Sequence, residues 1–556
     1  MDVNKDAYQH AVPWETRFEP VTLPELFSRS AERVPDAPLV DFLGRIYSYR
    51  ELYSEARRFA AGLQALGIAR GDRIGLFLPN VPIYIPAYYG AMLAGAVVVN
   101  FSPLYTVDEL TQQVEDSGAR LLVTINAASL LPTALRVLDA SPLETLVVGR
   151  LEEMLSWPKR IALKLLGRKS IASIPDRPNI REWRHALVAS KVAPVVLSPV
   201  DLALLQYTGG TTGVPKGAML THANLAVNAL QVDAIDPFDD EEPDVIMGAL
   251  PLFHVFANTC VLNRTVAKGG CIAMVPRFEP KQVLQTLERA RVTGFPGVPT
   301  MFQALLDHPD MPRTNFSSLK IAISGGAALP APVREKFEAM SGARLVEGYG
   351  LTESAGVVST NPYTGLRKPG TIGQVIPQTR VMLLDKEDPT RPAPEGQPGE
   401  LVIAGPQVMQ GYWNRPDAAA HAFAKIGDTH WLRTGDVAQI DEDGFITIVD
   451  RIKDMIAVGG FKVFPSQVEN VLLGHPSVKE ALVIGVPDDY LGETPRAYVT
   501  LQENSKVEAD DLRGWLNARV GKHERVSGIL IREELPKTMI GKLDRKALRL
   551  EVLATD

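Results

Sequence analysis

Cysteine is nearly absent from this chain, with two in 556 residues, Cys260 and Cys271. That excludes a disulfide framework and suits a reducing compartment. Both sit in apolar surroundings without a nearby histidine pair, which reads as buried filler rather than metal ligation. A basic excess is missing too: a net charge of −7 and a pI near 5.8 argue against a general nucleic-acid binder. The opening MDVNKDAYQHAVPWE has no basic segment running into an apolar one, so no secretory leader is expected and the expected location is cytoplasmic.

Charge is absent altogether from residues 74–107, a run that invites a membrane span. Prolines at 79, 82, 86 and 103 and asparagines at 80 and 100 interrupt it. A strand (GLFLPN), a short helix (IPAYYGAMLAGA) and a second strand (VVVNFSP) fit better, as a buried βαβ unit. Also missing is a Walker A loop, although YTGGTTGVPKGAML (207–220) looks like a phosphate cradle. Lys216 follows Pro215 and precedes Gly217, with no hydroxyl residue after it, so the G-x-x-x-x-G-K-[ST] signature fails.

What is present is a hydrophobic content of 46 % and a charged content of 22 %, those of a globular protein too long for one core. Short β-branched runs alternate with amphipathic stretches: RIGLFLPN, AVVVNF, RLLVTI, ETLVVG, DVIMGALPL, GCIAMVP, KIAISGG, ARLVEGYG. This predicts an α/β fold with parallel-type sheets. After about residue 370, TIGQVIP, VMLLDKED, GELVIAG and GFITIVDR read as a small antiparallel β subdomain. From Lys453 a small α+β tail follows, with helices near 465–474 and 509–520 and strands at ALVIGVP and RAYVTLQ. The expected division is 1–452 and 453–556. Residues 151–170, LEEMLSWPKRIALKLLGRKS, place Trp157, Ile161 and Leu165 on one helical face among five basic residues. Two readings stay open: the face rests on an anionic membrane surface, or it packs onto the protein.

Five further stretches carry chemistry: SGGAALP (324–330), GYGLTES (348–354), WLRTGDVAQIDEDGF (431–445), DRIKDMIAVGGFKVFPSQVEN (450–470) and LPKTMIGKLDRKAL (535–548). Each alone has an ordinary reading as a turn, cap or solvated loop. Together, in this order and with the 207–220 loop, they resemble the acyl-adenylate-forming superfamily from about residue 20 to 550. The resemblance implies attack of a carboxylate on the α-phosphate of ATP with loss of pyrophosphate, a reaction governed by positioning and charge neutralisation. The loop of Thr208, Gly209, Gly210, Thr211, Thr212 and Gly213 would grip the leaving pyrophosphate, with Lys216 adding charge. Gly348, Tyr349 and Gly350 would lie along the adenine, with Gly326 and Ala327 opposite. Thr352 would reach the α-phosphate and Glu353 would hold Mg²⁺, the expected partner of one carboxylate plus phosphate oxygens. Asp436 and Arg451 would hold the ribose, and Lys542 would bridge the attacking carboxylate and the α-phosphate.

For the CoA step the resemblance implies rotation of the C-terminal domain about Lys453. Gly459 and Gly460 would then line a pantetheine tunnel and Lys462 would meet a phosphate. The family often has proline where KHERVSG (522–528) has Ser527, a difference of loop stiffness. PLFHVFAN (251–258) resembles the segment beside the acyl pocket, so His254, Val298 and Gly325 are acyl-pocket candidates, against a plain core histidine at 254. GVPTMFQALL (297–306) would line the same pocket. Neither stretch contains lysine, arginine or aspartate, which disfavours an amino-acid substrate. Acetyl-CoA synthetases place tryptophan where this chain has Gly350, and its absence implies a longer pocket. The texture is closest to bacterial long-chain fatty-acid–CoA ligases. A medium-chain or aryl acid, as in 4-coumarate ligases, or transfer to a carrier protein, are the rival expectations. A homodimer and contact with the inner face of the membrane through 151–170 stay open.

Overall fold

The computed structural model describes residues 7–555 except 190, 209–214, 239–243, 386–387, 460, 489, 504 and 539–541. Among them the strands form four sheets. Seven strands build the first, from Ile180–Glu182 at one edge to Lys216–Thr221 at the other. Its centre holds the unit expected from the uncharged run: Arg73–Leu76 and Val97–Asn100 pair in parallel, joined by the helix Tyr84–Leu93. That helix is buried on nearly every residue, which explains its lack of charge without any membrane. Among the described residues no helix is long and apolar enough to cross a membrane.

The second sheet has nine strands and supplies the site. Val245–Gly248, Cys271–Met274, Gly294–Gly297, Ile321–Gly325 and Arg344–Tyr349 run parallel at its centre. Ser359–Thr360 and Gln374–Val375 close one edge antiparallel, and the hairpin Pro38–Phe42 with Arg45–Ser48 forms the other. One large core joins the two sheets through the helices Leu23–Arg33, Tyr49–Ala65 and Tyr84–Leu93. Capping boxes fix three α-helix starts among the described residues: Ser48 with Glu51, Thr106 with Glu109, and Thr221 with Asn224 ahead of the helix His222–Ala234.

A third, antiparallel sheet is built on the long strand Thr429–Ile440, which pairs with Gly399–Ala404, Phe423–Ile426 and Ile446–Arg451. The fourth begins at Ile456–Val458 and centres on the antiparallel pair Val478–Asp488 and Gly492–Leu501. The helices Pro465–Leu473 and Ala509–Asn517 supply the core on one of its faces. Ser527, where the family often has proline, uses the N–H a proline would lack: it donates to the Pro495 carbonyl at 2.8 Å. Across to the larger body, the Lys479 ammonium meets Asp307 at 2.9 Å.

Candidate active site

Parallel strands end at one edge of the nine-stranded sheet, and ligands of open α/β sheets gather there. Gly325 and Gly348 lie opposite each other at that edge. Gly326 follows with φ +84°, and an added Cβ would stand 2.4 Å from Lys542 Cε and 2.7 Å from its Nζ. The lysine therefore lies across bare backbone that only glycine leaves open. It arrives from a turn in which the Lys542 amide donates to Thr538 Oγ1 at 3.1 Å and the Thr538 amide donates to the Lys542 carbonyl at 2.6 Å. Burial lowers the Lys542 ammonium to about 8; nearby Arg451 adds to this, while Asp436 opposes it. It is thus a cation short of counter-charge, aimed at a cavity.

Asp436 and Arg451 face each other on adjacent antiparallel strands. The Asp436 carboxylate is buried, receives Arg451 Nε at 2.9 Å and accepts the Tyr349 hydroxyl on its other oxygen. Its own amide is held by Thr434 Oγ1 at 3.0 Å. Each carboxylate oxygen keeps a second lone pair, which a sugar hydroxyl can use. The Arg451 guanidinium is held still more firmly in its charged form, chiefly by Asp436.

Glu353 sits in the short helix Thr352–Ser354, and Tyr412 donates its hydroxyl to Glu353 Oε1 at 2.6 Å. The Lys216 ammonium lies over the Tyr412 ring, 5.3 Å from its centroid. Tyr412 thus spaces the cation from the carboxylate, and sequence reasoning missed it. GPQVMQGYWNRPDA carries no motif that marks a phenol as partner of a glutamate 59 residues away. Among the described residues no group of three or more His, Cys, Asp and Glu side chains gathers to hold a metal. A magnesium ion here would rely on the remaining Glu353 oxygen and on phosphate oxygens, a donor set that suits it.

On the other side of Lys542 stands His254. Its Nδ1 accepts from the Phe256 amide at 3.3 Å, which leaves Nε2 to carry the proton. Burial, reinforced by the Lys542 charge, drops the imidazole to about 3, so it is a neutral donor at working pH. The Phe256 ring rests on Gly325, where an added Cβ would meet it at 3.0 Å.

A single cavity of about 970 Å³ joins most of these groups, with Thr208, Lys216, Gly348, Thr352, Glu353, Arg451, Lys453 and Lys542 on one part and His254, Gly325 and Val298 on the other, while the buried Asp436 stands behind Tyr349 and Arg451 and off the wall they line. Ala327 is exposed and off the cavity wall. Gly459 and Lys462 also lie off it, while the hinge candidate Lys453 is on it. Gly209, Gly210, Thr211, Thr212, Gly213 and Gly460 fall outside the described residues. One expectation needs correction. The helix Pro299–Leu306 packs Phe302 and Leu305 into the core, so of GVPTMFQALL only Val298 reaches the cavity, with Gly294 and Pro296 of the strand before it. A side chain at Gly350 would run into the Gly356 carbonyl, so the backbone turn by itself requires glycine there.

Substituting Gly326→Ala tests this geometry. The new methyl takes the space of Lys542, so ATP-dependent activation should drop by roughly two orders of magnitude, the scale for losing one preorganised charge-stabilising group. Because alanine is strained at φ +84°, stability should also fall, by about 1 kcal/mol, which a melting curve separates from the loss of activity in the folded enzyme. Activity within twofold of the parent would contradict the placement of the lysine.

Residues 27–413 match the AMP-binding enzyme family, and residues 467–542 match the AMP-binding enzyme C-terminal domain. The long-chain-fatty-acid–CoA ligase of Bacillus subtilis (strain 168) is 36% identical over 547 residues, covering 97% of this chain and 96% of its own. That of Escherichia coli O6:H1 is 38% identical over 559 residues, covering 99% and 96%. Among solved structures, ATP-bound MatB from Rhodopseudomonas palustris superposes with a TM-score of 0.81 at 28% identity, covering 96% of this chain and 99% of that one. A family match across more than half the chain, end-to-end relatives and a shared fold have one consequence: the chain belongs to the AMP-binding enzyme family.

Proposed function

We propose that the protein activates a long-chain fatty acid with ATP and passes the acyl group to CoA. The observation that carries this is the position of Lys542, at the joint between a polar cavity half and an apolar one. A carboxylate held there beside neutral His254 meets the α-phosphate under the Lys542 ammonium, which offsets the repulsion of two anions as the carboxylate oxygen bonds to phosphorus. Pyrophosphate departs toward Lys216. Asp436 and Arg451 fix the ribose. Magnesium, held by Glu353 and phosphate oxygens, would neutralise the phosphates. In the second step the CoA sulfur attacks the acyl carbon and AMP leaves.

The apolar half supports a fatty chain. Val232, Ile235, Ile321 and Ile323 form its wall between the helix His222–Ala234 and the sheet. Each methylene buried there contributes about 0.8 kcal/mol. Gly459 and Lys462 lie away from the cavity while Lys542 is in it, as fits an enzyme poised for the first step. The CoA step then requires the part beyond Lys453 to turn and bring the 459–462 loop to the acyl group.

Pyrophosphate release with acids from butanoate to octadecanoate and with 4-coumarate, with and without CoA, tests the reading. A long-chain optimum with CoA-dependent turnover is expected. An aryl optimum, or a single burst that CoA does not relieve, would reassign the substrate or the acceptor. In the same assay Lys542→Ala should abolish adenylate formation yet largely spare thioester formation from supplied acyl-AMP. Equal loss of both steps would defeat the rotation.

We also infer peripheral membrane contact through the helix Trp157–Leu166, because Trp157 is 74% exposed and Ile161 on the same face is partly exposed; the Leu165 side chain lies outside what is described. An exposed tryptophan beside basic residues suits an anionic lipid surface. Co-sedimentation with vesicles containing phosphatidylglycerol should be several-fold stronger than with phosphatidylcholine alone, and weaker for Trp157→Ala. Equal recovery with both vesicle types would end this inference.

A further inference from the structure

The cavity does not end with its apolar wall. It continues along the sheet to the opposite, N-terminal edge of the same strands, where Asp244, Thr293 and Lys320 precede or begin them. There it meets Asp236, Arg264 and Lys268. Arg264 is buried, with Nη2 2.5 Å from Asp236, Nη1 2.6 Å from Asp244 and Nη2 3.6 Å from Asp233. Lys268 lies 4.0 Å from the same Asp233 oxygen. Thr293 donates to Asp244 at 2.5 Å. That Asp233 oxygen, Oδ1, is buried and has no hydrogen-bond partner.

A channel for a plain hydrocarbon has no use for such a floor. A methyl end pressed against buried ions displaces water from them and returns no hydrogen bond, which is costly. A terminal hydroxyl donates to a carboxylate oxygen and accepts from a cation, so it keeps the floor satisfied. Among the described residues the charges also balance, with Arg264, Lys268 and Lys320 against Asp236, Asp244 and the neighbouring Asp233, so a second carboxylate would add an anion with no cation left for it. The length is set by the sheet. The strand Ile321–Gly325 has five residues, about 16 Å of extended chain, and an alkyl chain of ~1.5 Å bonds covers that with about 12 to 14 carbons.

We propose that the acyl channel selects acids carrying a hydroxyl at the end remote from the carboxylate, at the chain length that reaches the Arg264–Asp236–Asp244 floor. This rests on the acid–CoA ligase reading above. The preference is a property of the floor alone: shorter chains never touch it and are indifferent to the hydroxyl.

The test is a ladder of matched pairs, each unbranched acid against its ω-hydroxy counterpart and its α,ω-diacid, from hexanoate to hexadecanoate, with kcat/KM read as thioester formed. The expected ratio of hydroxy to plain acid is near one for short chains and rises to tenfold or more at about 12 to 14 carbons, as for a site that bonds a substrate hydroxyl. Asp236→Leu, on the cavity floor and away from the adenylating groups, should collapse that ratio while short acids, which never reach the floor, react as before. If this variant does not fold, the parent ladder alone decides. Plain acids equal to or better than their hydroxy partners at every length overturn the proposal while leaving the ligase reading intact. A preference for diacids overturns it in favour of a carboxylate-binding floor. Absence of ATP- and CoA-dependent thioester with every acid would instead defeat the ligase reading itself.

Discussion

A buried ammonium that lacks its counter-charge is the constraint on which the site depends. Lys542 comes from the last turn of the C-terminal sheet region and lies over Gly326 of the large sheet, where burial and Arg451 make its charge expensive. Such a charge is tolerated where an anion is due to arrive. Everything around it follows from that demand. Gly326 has no side chain because the lysine occupies the space, and Asp436 is already engaged by Tyr349 and Arg451 and so compensates Lys542 only in part. The nucleotide phosphates and the substrate carboxylate would complete the balance together, which couples their binding to the placement of the C-terminal domain.

The same lysine divides the cavity by chemistry. On one side stand hydroxyls, glycine backbone, Arg451 and the Glu353–Tyr412–Lys216 set, suited to phosphate and sugar. On the other stand Phe256 on Gly325 and an apolar wall of branched side chains, suited to an alkyl chain. His254 stands at the border as a neutral donor, because burial and Lys542 both oppose its protonation. A charged imidazole there would compete with the lysine for the carboxylate. A neutral one orients it without adding a second cation.

Much of this was legible in the sequence, for physical reasons. Residues 74–100 of the uncharged segment form a buried βαβ unit, and the prolines and asparagines of the segment already argued against a span. Lys542, Thr352, Glu353 and Arg451 were marked by ordered motifs, and the structure gathers them around one cavity. What stayed hidden depends on contacts between distant parts of the chain. Strand order is one example: Cys271–Met274 lies between Val245–Gly248 and Pro38–Phe42, a pairing no local pattern encodes. Tyr412 is another, since only the fold turns its hydroxyl to Glu353. The charged floor carried no local signal: Asp236 and Asp244 flank an acidic stretch of sequence, Arg264 is a lone charge in FANTCVLNRTVA, and only the fold brings them together. The absence of charge within PLFHVFAN and GVPTMFQALL was true of those stretches and not of the cavity they help to build.

The most direct test of the account is a crystal structure with a dodecanoyl chain joined to adenosine through a sulfamate, a stable stand-in for the acyl adenylate. The account requires the Lys542 ammonium to remain over Gly326 and contact the sulfamate oxygens. It also requires the ribose on Asp436 and the chain lying along Ile321–Gly325 toward Arg264. A ligand bound with Lys542 withdrawn from Gly326, or with its chain leaving the cavity elsewhere, would contradict it.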